Sequence, residues 1–213
     1  MRYKAILFDM DGTLLDTLTD MADAVNHILS VHGWPLRTTE EVRAFVGNGA
    51  RRLMERAVPP EVTGGDFEAV LTEYRDWYQA HNCVATAPYP GIPALLAALA
   101  EAGVKTAVVS NKPDATTKTL AARFFPGLPA FGQRDDVPPK PAPELVFRAL
   151  ETLGVNAAGA VYVGDSEVDV ATARNAGLPL AAVSWGFRGR RALAEAGAPV
   201  IVDTAAELLE VLR

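Results

Sequence analysis

Residues 16 to about 82 carry only helical patterning, yet they stand between a strand-like run at 4 to 8 and an alternation of helices and strands from 92 onward. Leu18, Met21, Ala22, Val25, Ile28 and Leu29 recur at three- and four-residue steps, the spacing of one helical face. A second piece begins near Thr39, breaks at Gly47-Asn48-Gly49 and resumes through Leu53, Met54 and Ala57. Phe67, Val70, Leu71, Tyr74 and Tyr78 line a third after the turn signals at Pro59-Pro60 and Gly64-Gly65. A chain of this kind places an all-helical unit directly behind its first strand. We therefore expect residues 1–15 and 86–213 to form one α/β body and residues 16–85 a helical insertion.

The remaining segments set the class of that body. Ala5-Ile6-Leu7-Phe8 is a compact apolar run that stops at acidic residues and glycine, which predicts a short buried strand. After the Pro88-Tyr89-Pro90-Gly91 linker, residues 92–102 predict a helix and Lys105 to Val109 a strand running into Ser110-Asn111-Lys112. A helix at 114–124 follows. The proline-rich stretch from Pro126 to Pro143 reads as mostly irregular, with Lys140 inside it. Further strands are expected at 160–163, 180–183 and 200–202, with helices near 143–153, after the Gly164–Asp169 segment to about 176, and near 190–196 and 204–212. Strands alternating with helices predict a Rossmann-like parallel sheet covered on both faces, here with a helical cap.

Composition narrows the partners. A formal net charge of -6 opposes a broad nucleic-acid or anionic-membrane surface, because both need a basic stripe. Cys83 is the only cysteine, so neither an intrachain disulfide nor a cysteine-rich zinc cluster can be built from this chain. The first apolar run is too short for a signal-peptide core, and no later run approaches a membrane span. The expectation is a cytoplasmic protein, monomer or homodimer, acting on a small molecule.

The chemistry lies at the predicted strand ends. Asp9 and Asp11, two residues apart, leave the first strand on one side and repel each other. Taken alone, Asp-Gly is a common strand terminator; a cation, a proton or a reaction is what makes a crowded pair tolerable. Three more strand or loop ends carry polar groups: Ser110 with Asn111, Lys140, and Asp165 with Asp169. In a parallel sheet these ends converge on one edge, the edge where open α/β sheets bind ligands.

In their order, Asp9-Met10-Asp11-Gly12-Thr13-Leu14, Ser110-Asn111, Lys140-Pro141-Ala142-Pro143-Glu144 and Gly164-Asp165-Ser166-Glu167-Val168-Asp169 resemble the haloacid dehalogenase superfamily, in its capped phosphatase branch. The resemblance implies that Asp9 is a nucleophile forming an aspartyl phosphate and that Asp11 is the acid and base. It implies Mg2+ held by Asp9, Asp11 through its backbone carbonyl, and Asp165, with Asp169 behind them. It implies a phosphate subsite of Gly12, Ser110, Asn111 and Lys140. Gly47-Asn48-Gly49 and Arg51 resemble the cap loop of bacterial phosphoglycolate phosphatases, so Arg51 is a candidate for an anionic leaving group; a solvated helix face is its alternative, and the stronger one for Arg52. Lys112 stands open between a phosphate role and a surface lysine.

The reading is thus a magnesium-dependent phosphomonoesterase, with 2-phosphoglycolate as first substrate candidate. An inorganic pyrophosphatase or a sugar-phosphate mutase is the alternative within the superfamily, and a non-catalytic phosphate-binding regulator the alternative outside it. His27, His32 and His81 lack metal-ligand spacing and read as structural or exposed; Trp34, Trp77 and Trp185 read as packing residues.

Overall fold

The computed structural model describes all residues, 1 to 213. In chain order the elements are β1 (Ala5–Phe8), β2 (Leu15–Asp16), α1 (Leu18–Val31), α2 (Thr39–Phe45), α3 (Gly49–Ala57), α4 (Gly64–His81) and β3 (Ala87–Pro88). They continue with α5 (Ile92–Glu101), β4 (Lys105–Pro113), α6 (Asp114–Phe124), β5 (Ala130–Gln133), α7 (Glu144–Leu153) and β6 (Ala160–Gly164). The chain closes with α8 (Glu167–Ala176), β7 (Leu180–Val183), α9 (Gly189–Glu195), β8 (Ile201–Val202) and α10 (Ala205–Leu212).

Six strands form one sheet in the order β5-β4-β1-β6-β7-β8, every neighbouring pair parallel. Side chains alternate between the faces, and both faces are dry. Ile6 and Phe8 pack with Leu95, Leu99, Leu120 and Leu208 of α5, α6 and α10 on one side. Ala5 and Leu7 pack with Leu145, Val146, Val170 and Leu193 of α7, α8 and α9 on the other. Double coverage explains why the strands read as unbroken apolar runs rather than as alternating ones. The strand order leaves β1 in the middle, with the chain leaving to one side through β4 and β5 and returning to the other through β6. A crevice opens at such a switch point, beyond the carboxyl end of β1.

Helices α1 to α4 bury a separate cluster, with Val25, Leu29, Val42, Met54, Leu71 and Tyr74 out of water. The two chain crossings between this cap and the sheet body are bound to each other: β2 and β3 pair antiparallel, Leu15 against Pro88 and Asp16 against Ala87. Asp20 at the start of α1 then collects the return crossing. Its carboxylate accepts the backbone N–H groups of Val84, Ala85 and Thr86 and the Thr86 hydroxyl, at 2.7 to 3.0 Å.

Besides the two-residue strands β2 and β3, which the sequence reading did not contain, a longer element departs from it. The stretch from Pro126 to Pro143 is not mostly irregular at its start, because Ala130–Gln133 forms β5, an edge strand on β4. Pro129 stands just outside it, and only its carbonyl is used, accepting from the Val108 N–H at 2.8 Å, so proline costs this edge no ladder bond.

Candidate active site

Asp9 follows β1 directly and is buried. Its Oδ1 accepts from the Met10 N–H at 2.7 Å and faces Lys140 Nζ at 2.9 Å. Lys140 also meets Asp169 Oδ1 at 2.8 Å and the Tyr162 hydroxyl at 3.0 Å, so one buried cation is shared between two carboxylates and a phenol. Burial disfavours its charge, but Asp169 and Asp9 outweigh that and hold the ammonium well above the usual lysine range. Asn111 fixes the backbone at this point: its Oδ1 accepts from Lys140 N–H at 2.7 Å while its Nδ2 donates to the Lys140 carbonyl at 3.0 Å.

Asp165 follows β6 and is aimed by neighbours on both sides, Thr13 Oγ1 at 3.1 Å and the Phe187 N–H at 2.8 Å. Asp169, in the first turn of α8, closes a capping box with Ser166: its Oδ2 takes the Ser166 N–H at 3.1 Å and hydroxyl at 2.6 Å. Carboxylate oxygens of Asp9, Asp165 and Asp169 lie within 4.8 Å of one another. Burial and then the neighbouring acids outweigh Lys140 and push Asp9 up to about 7; burial, with Asp169 and Asp9, drives Asp165 well above the carboxylate range. Three crowded hard-oxygen donors with one balancing lysine suit a divalent cation, which would relieve the repulsion that the protein leaves.

Asp11 stands apart from this trio. Its Oδ1 accepts from the Thr17 hydroxyl at 2.7 Å and faces Lys112 Nζ at 3.1 Å. Lys112 is buried, not a surface lysine, and reaches on to the Tyr78 hydroxyl of α4 at 2.8 Å. Ser110 faces the same space, its Oγ accepting from Lys112 N–H at 3.1 Å. Gly12 has φ +83 and lies against Asp165; a Cβ there would overlap the carboxylate, so the loop can close over the acid only as glycine.

Asp9, Asp11, Ser110, Asn111, Lys140 and Asp165 all line one cavity of about 340 Å3 between sheet body and cap. Arg51 does not reach it. In α3 the buried positions are Leu53, Met54 and Ala57, and Arg51 lies about 200° around the helix from Leu53. Its guanidinium instead forms a two-pronged pair with Glu68 on the cap surface, at 2.8 Å for each bond. The cap side of the cavity is supplied by Met21, Val46, Ala50, Leu53, Tyr74 and Tyr78, with Arg75 among the polar residues. Thr13, which the sequence offers with Gly12 as a loop residue beside phosphate, instead turns its hydroxyl to Asp165, while Tyr162, Thr17, Phe187 and Arg188 complete the surroundings without a role read from sequence. The available signal for the last two was position: they follow the carboxyl end of a parallel strand, β7.

A parallel sheet carrying an acid cluster and a buried lysine at its carboxyl edge, with a helical cap beside it, has the architecture of an α/β enzyme with its polar site at that edge. The model of the haloacid dehalogenase-like hydrolase family matches residues 6–183, and the chain belongs to that family. It is a phosphatase of the family. A relative from Pseudomonas aeruginosa named N-acetylmuramic acid 6-phosphate phosphatase is 36% identical over 100% of this chain and 96% of its own length. One from Pseudomonas savastanoi pv. phaseolicola named phosphoglycolate phosphatase is 34% identical, covering 97% of this chain and 78% of its own. A crystal structure from Lactobacillus delbrueckii subsp. bulgaricus, described provisionally as a phosphoglycolate phosphatase, superposes with TM-score 0.94 at 38% identity, over 100% of this chain and 99% of that one.

Proposed function

We propose that this phosphatase is a magnesium-dependent phosphomonoesterase that works through an aspartyl phosphate on Asp9 and hydrolyses a small anionic phosphorylated metabolite. The observation that carries the reading is the separation of two acids at one cavity: Asp9 is tied to Lys140 at 2.9 Å and Asp11 to Lys112 at 3.1 Å. A simple anion binder has no use for two carboxylates facing its ligand, each with its own cation.

In the first half-reaction an Asp9 oxygen bonds to phosphorus as the ester P–O bond breaks, and Asp11 gives its proton to the departing oxygen. In the second, Asp11, now a carboxylate, takes a proton from water. The water oxygen bonds to phosphorus, the Asp9 acyl phosphate bond breaks and inorganic phosphate leaves. Ser110, the Asn111 backbone and Lys140 hold the phosphoryl oxygens in line. Asp9, Asp165 and the Asp11 backbone carbonyl would hold Mg2+, with Asp169 bracing the site through Lys140 and Ser166. The ion supplies charge neutralisation on the transferring oxygens. Residues 16–85 act as the cap that excludes water.

2-Phosphoglycolate is the first ester to assay. N-acetylmuramic acid 6-phosphate is the second, and one observation favours it: the cavity presents Met21, Val46, Leu53 and Tyr74 to the leaving group, a wall suited to a sugar-sized molecule with apolar edges. Phosphate release from both esters, glucose phosphates and inorganic pyrophosphate, with and without Mg2+, decides between them. Turnover of pyrophosphate far above every ester overturns the monoesterase reading.

A further inference from the structure

Residues 184–188, the loop that leaves β7, touch the acid cluster and the cap at once. On the inner side, Trp185 Nε1 donates to the Thr13 carbonyl at 3.1 Å, and the Phe187 N–H donates to Asp165 Oδ2 at 2.8 Å. Gly186 lies so close that a Cβ on it would overlap the Gly12 carbonyl oxygen and the Asp165 carboxylate. The loop is therefore pressed onto the two segments that carry Asp11 and Asp165.

On the outer side the next two side chains leave the sheet body. The Phe187 ring is buried in the hydrophobic cluster of the cap, beside residues of α1 to α4, and not in either face of the sheet. Arg188 spans the seam: its Nη1 donates to the Arg43 carbonyl at 2.9 Å, its Nη2 to the Val46 carbonyl, and its Nε pairs with Glu167 of α8 at 3.0 Å. Arg43 and Val46 close α2, where unsatisfied carbonyls and the negative end of the helix dipole favour a cation. Gly47 admits the guanidinium, since a Cβ there would stand 3.1 Å from Nη2.

We propose that residues 184–188 are a latch that seats the cap and, through the same short backbone, fixes the Asp165 carboxylate, which makes Arg188 and Phe187 positioning residues for the reaction at Asp9. The arrangement is economical in geometry: one residue, Phe187, holds the acid with its N–H and the cap with its ring. Displacing the cap drags on the group that orients Asp165, and displacing Asp165 loosens the cap.

The test is amide hydrogen exchange of the whole protein, wild type against Arg188→Ala and Phe187→Ala, together with steady-state phosphatase kinetics. Removing the guanidinium should raise exchange at residues 43–49 by roughly tenfold or more, the scale of charge-assisted hydrogen bonds, and leave the interior of α4 and the sheet unchanged. The kinetics should show kcat falling roughly tenfold or more, because an unseated cap leaves the site open while a closed minority still binds substrate. Arg188→Ala carries the test if Phe187→Ala disturbs the cap core. Exchange at 43–49 that is the same in Arg188→Ala and wild type overturns the latch. Faster exchange with unchanged kcat overturns the positioning role. The kinetic arm rests on the phosphomonoesterase reading and the exchange arm does not, so a wild type that hydrolyses no ester overturns that reading while the exchange result still decides the latch.

Discussion

Lys112 Nζ lies 3.1 Å from Asp11 Oδ1 in a part of the cavity where the lysine has lost nearly all its exposure to water. The same ammonium donates to Tyr78 of the cap and sits 4.5 Å from the centre of its ring. Asp11 thus has a cation from the sheet body whose second partner arrives with α4.

Replacing Lys112 should be felt at Asp11 and not in the fold. Lys112→Met keeps most of the stem and removes the charge. We predict a fall in kcat of roughly 10- to 100-fold, the range of a misplaced general acid, with an unchanged thermal midpoint within about 3 °C. Steady-state assays and thermal unfolding check it. Wild-type turnover by this variant would remove Lys112 from any part in positioning Asp11.

Asp20 predicts a different result. Its carboxylate gathers the N–H groups of Val84, Ala85 and Thr86, and Asp20→Ala takes that acceptor from all three, of which the Thr86 N–H and hydroxyl are buried. A loss of about 1–3 kcal/mol in unfolding free energy is expected, the range for removing hydrogen bonds to a charged group when the buried donors are those of Thr86. Denaturant titration measures it. A change below about 0.5 kcal/mol, the size of an ordinary surface substitution, would contradict the assigned role.

Most of the sheet was legible in the sequence because its inner strands, β1, β6 and β7, are buried on both sides and so show as short apolar runs between turn signals. Asp9, Ser110, Asn111 and Asp165 were legible for a related reason: polar residues directly after such runs must lie at the carboxyl edge. β5 was obscured by Pro126, Pro129 and the prolines around Lys140, although an edge strand tolerates proline beside it. β2 and β3 are two residues each, too short to carry any period. Arg51 is a candidate by resemblance of its loop to a phosphatase cap loop, with a solvated helix face as the alternative, and the helical phase of Leu53 and Met54 turns it outward to Glu68. Phe187 and Arg188 carry no periodic pattern, only a place after β7; their cap partners lie more than a hundred residues earlier.

An acid-stability prediction comes from the cap surface. The Thr38 N–H and hydroxyl donate to Glu41 at 2.7 and 2.9 Å, and these bonds hold its carboxyl below the usual glutamate range. A carboxyl lowered in the folded state stabilises it above the unfolded pKa, and that contribution is lost as pH falls through the lowered value. Glu41→Gln should therefore lower the thermal midpoint slightly in the neutral region and converge on wild type in acid, which flattens the acid limb. Parallel acid limbs for variant and wild type would contradict the assignment.

The central claim is that Asp9 takes the phosphoryl group. The most direct measurement is acid quench of the wild type during turnover of its best ester with Mg2+, followed by peptide mapping of the acyl phosphate, with Asp9→Asn in parallel. The account predicts phosphate on Asp9 alone, and no trapped phosphate and a rate lowered by at least about 1000-fold in the variant. Wild-type ester hydrolysis by folded Asp9→Asn would contradict it.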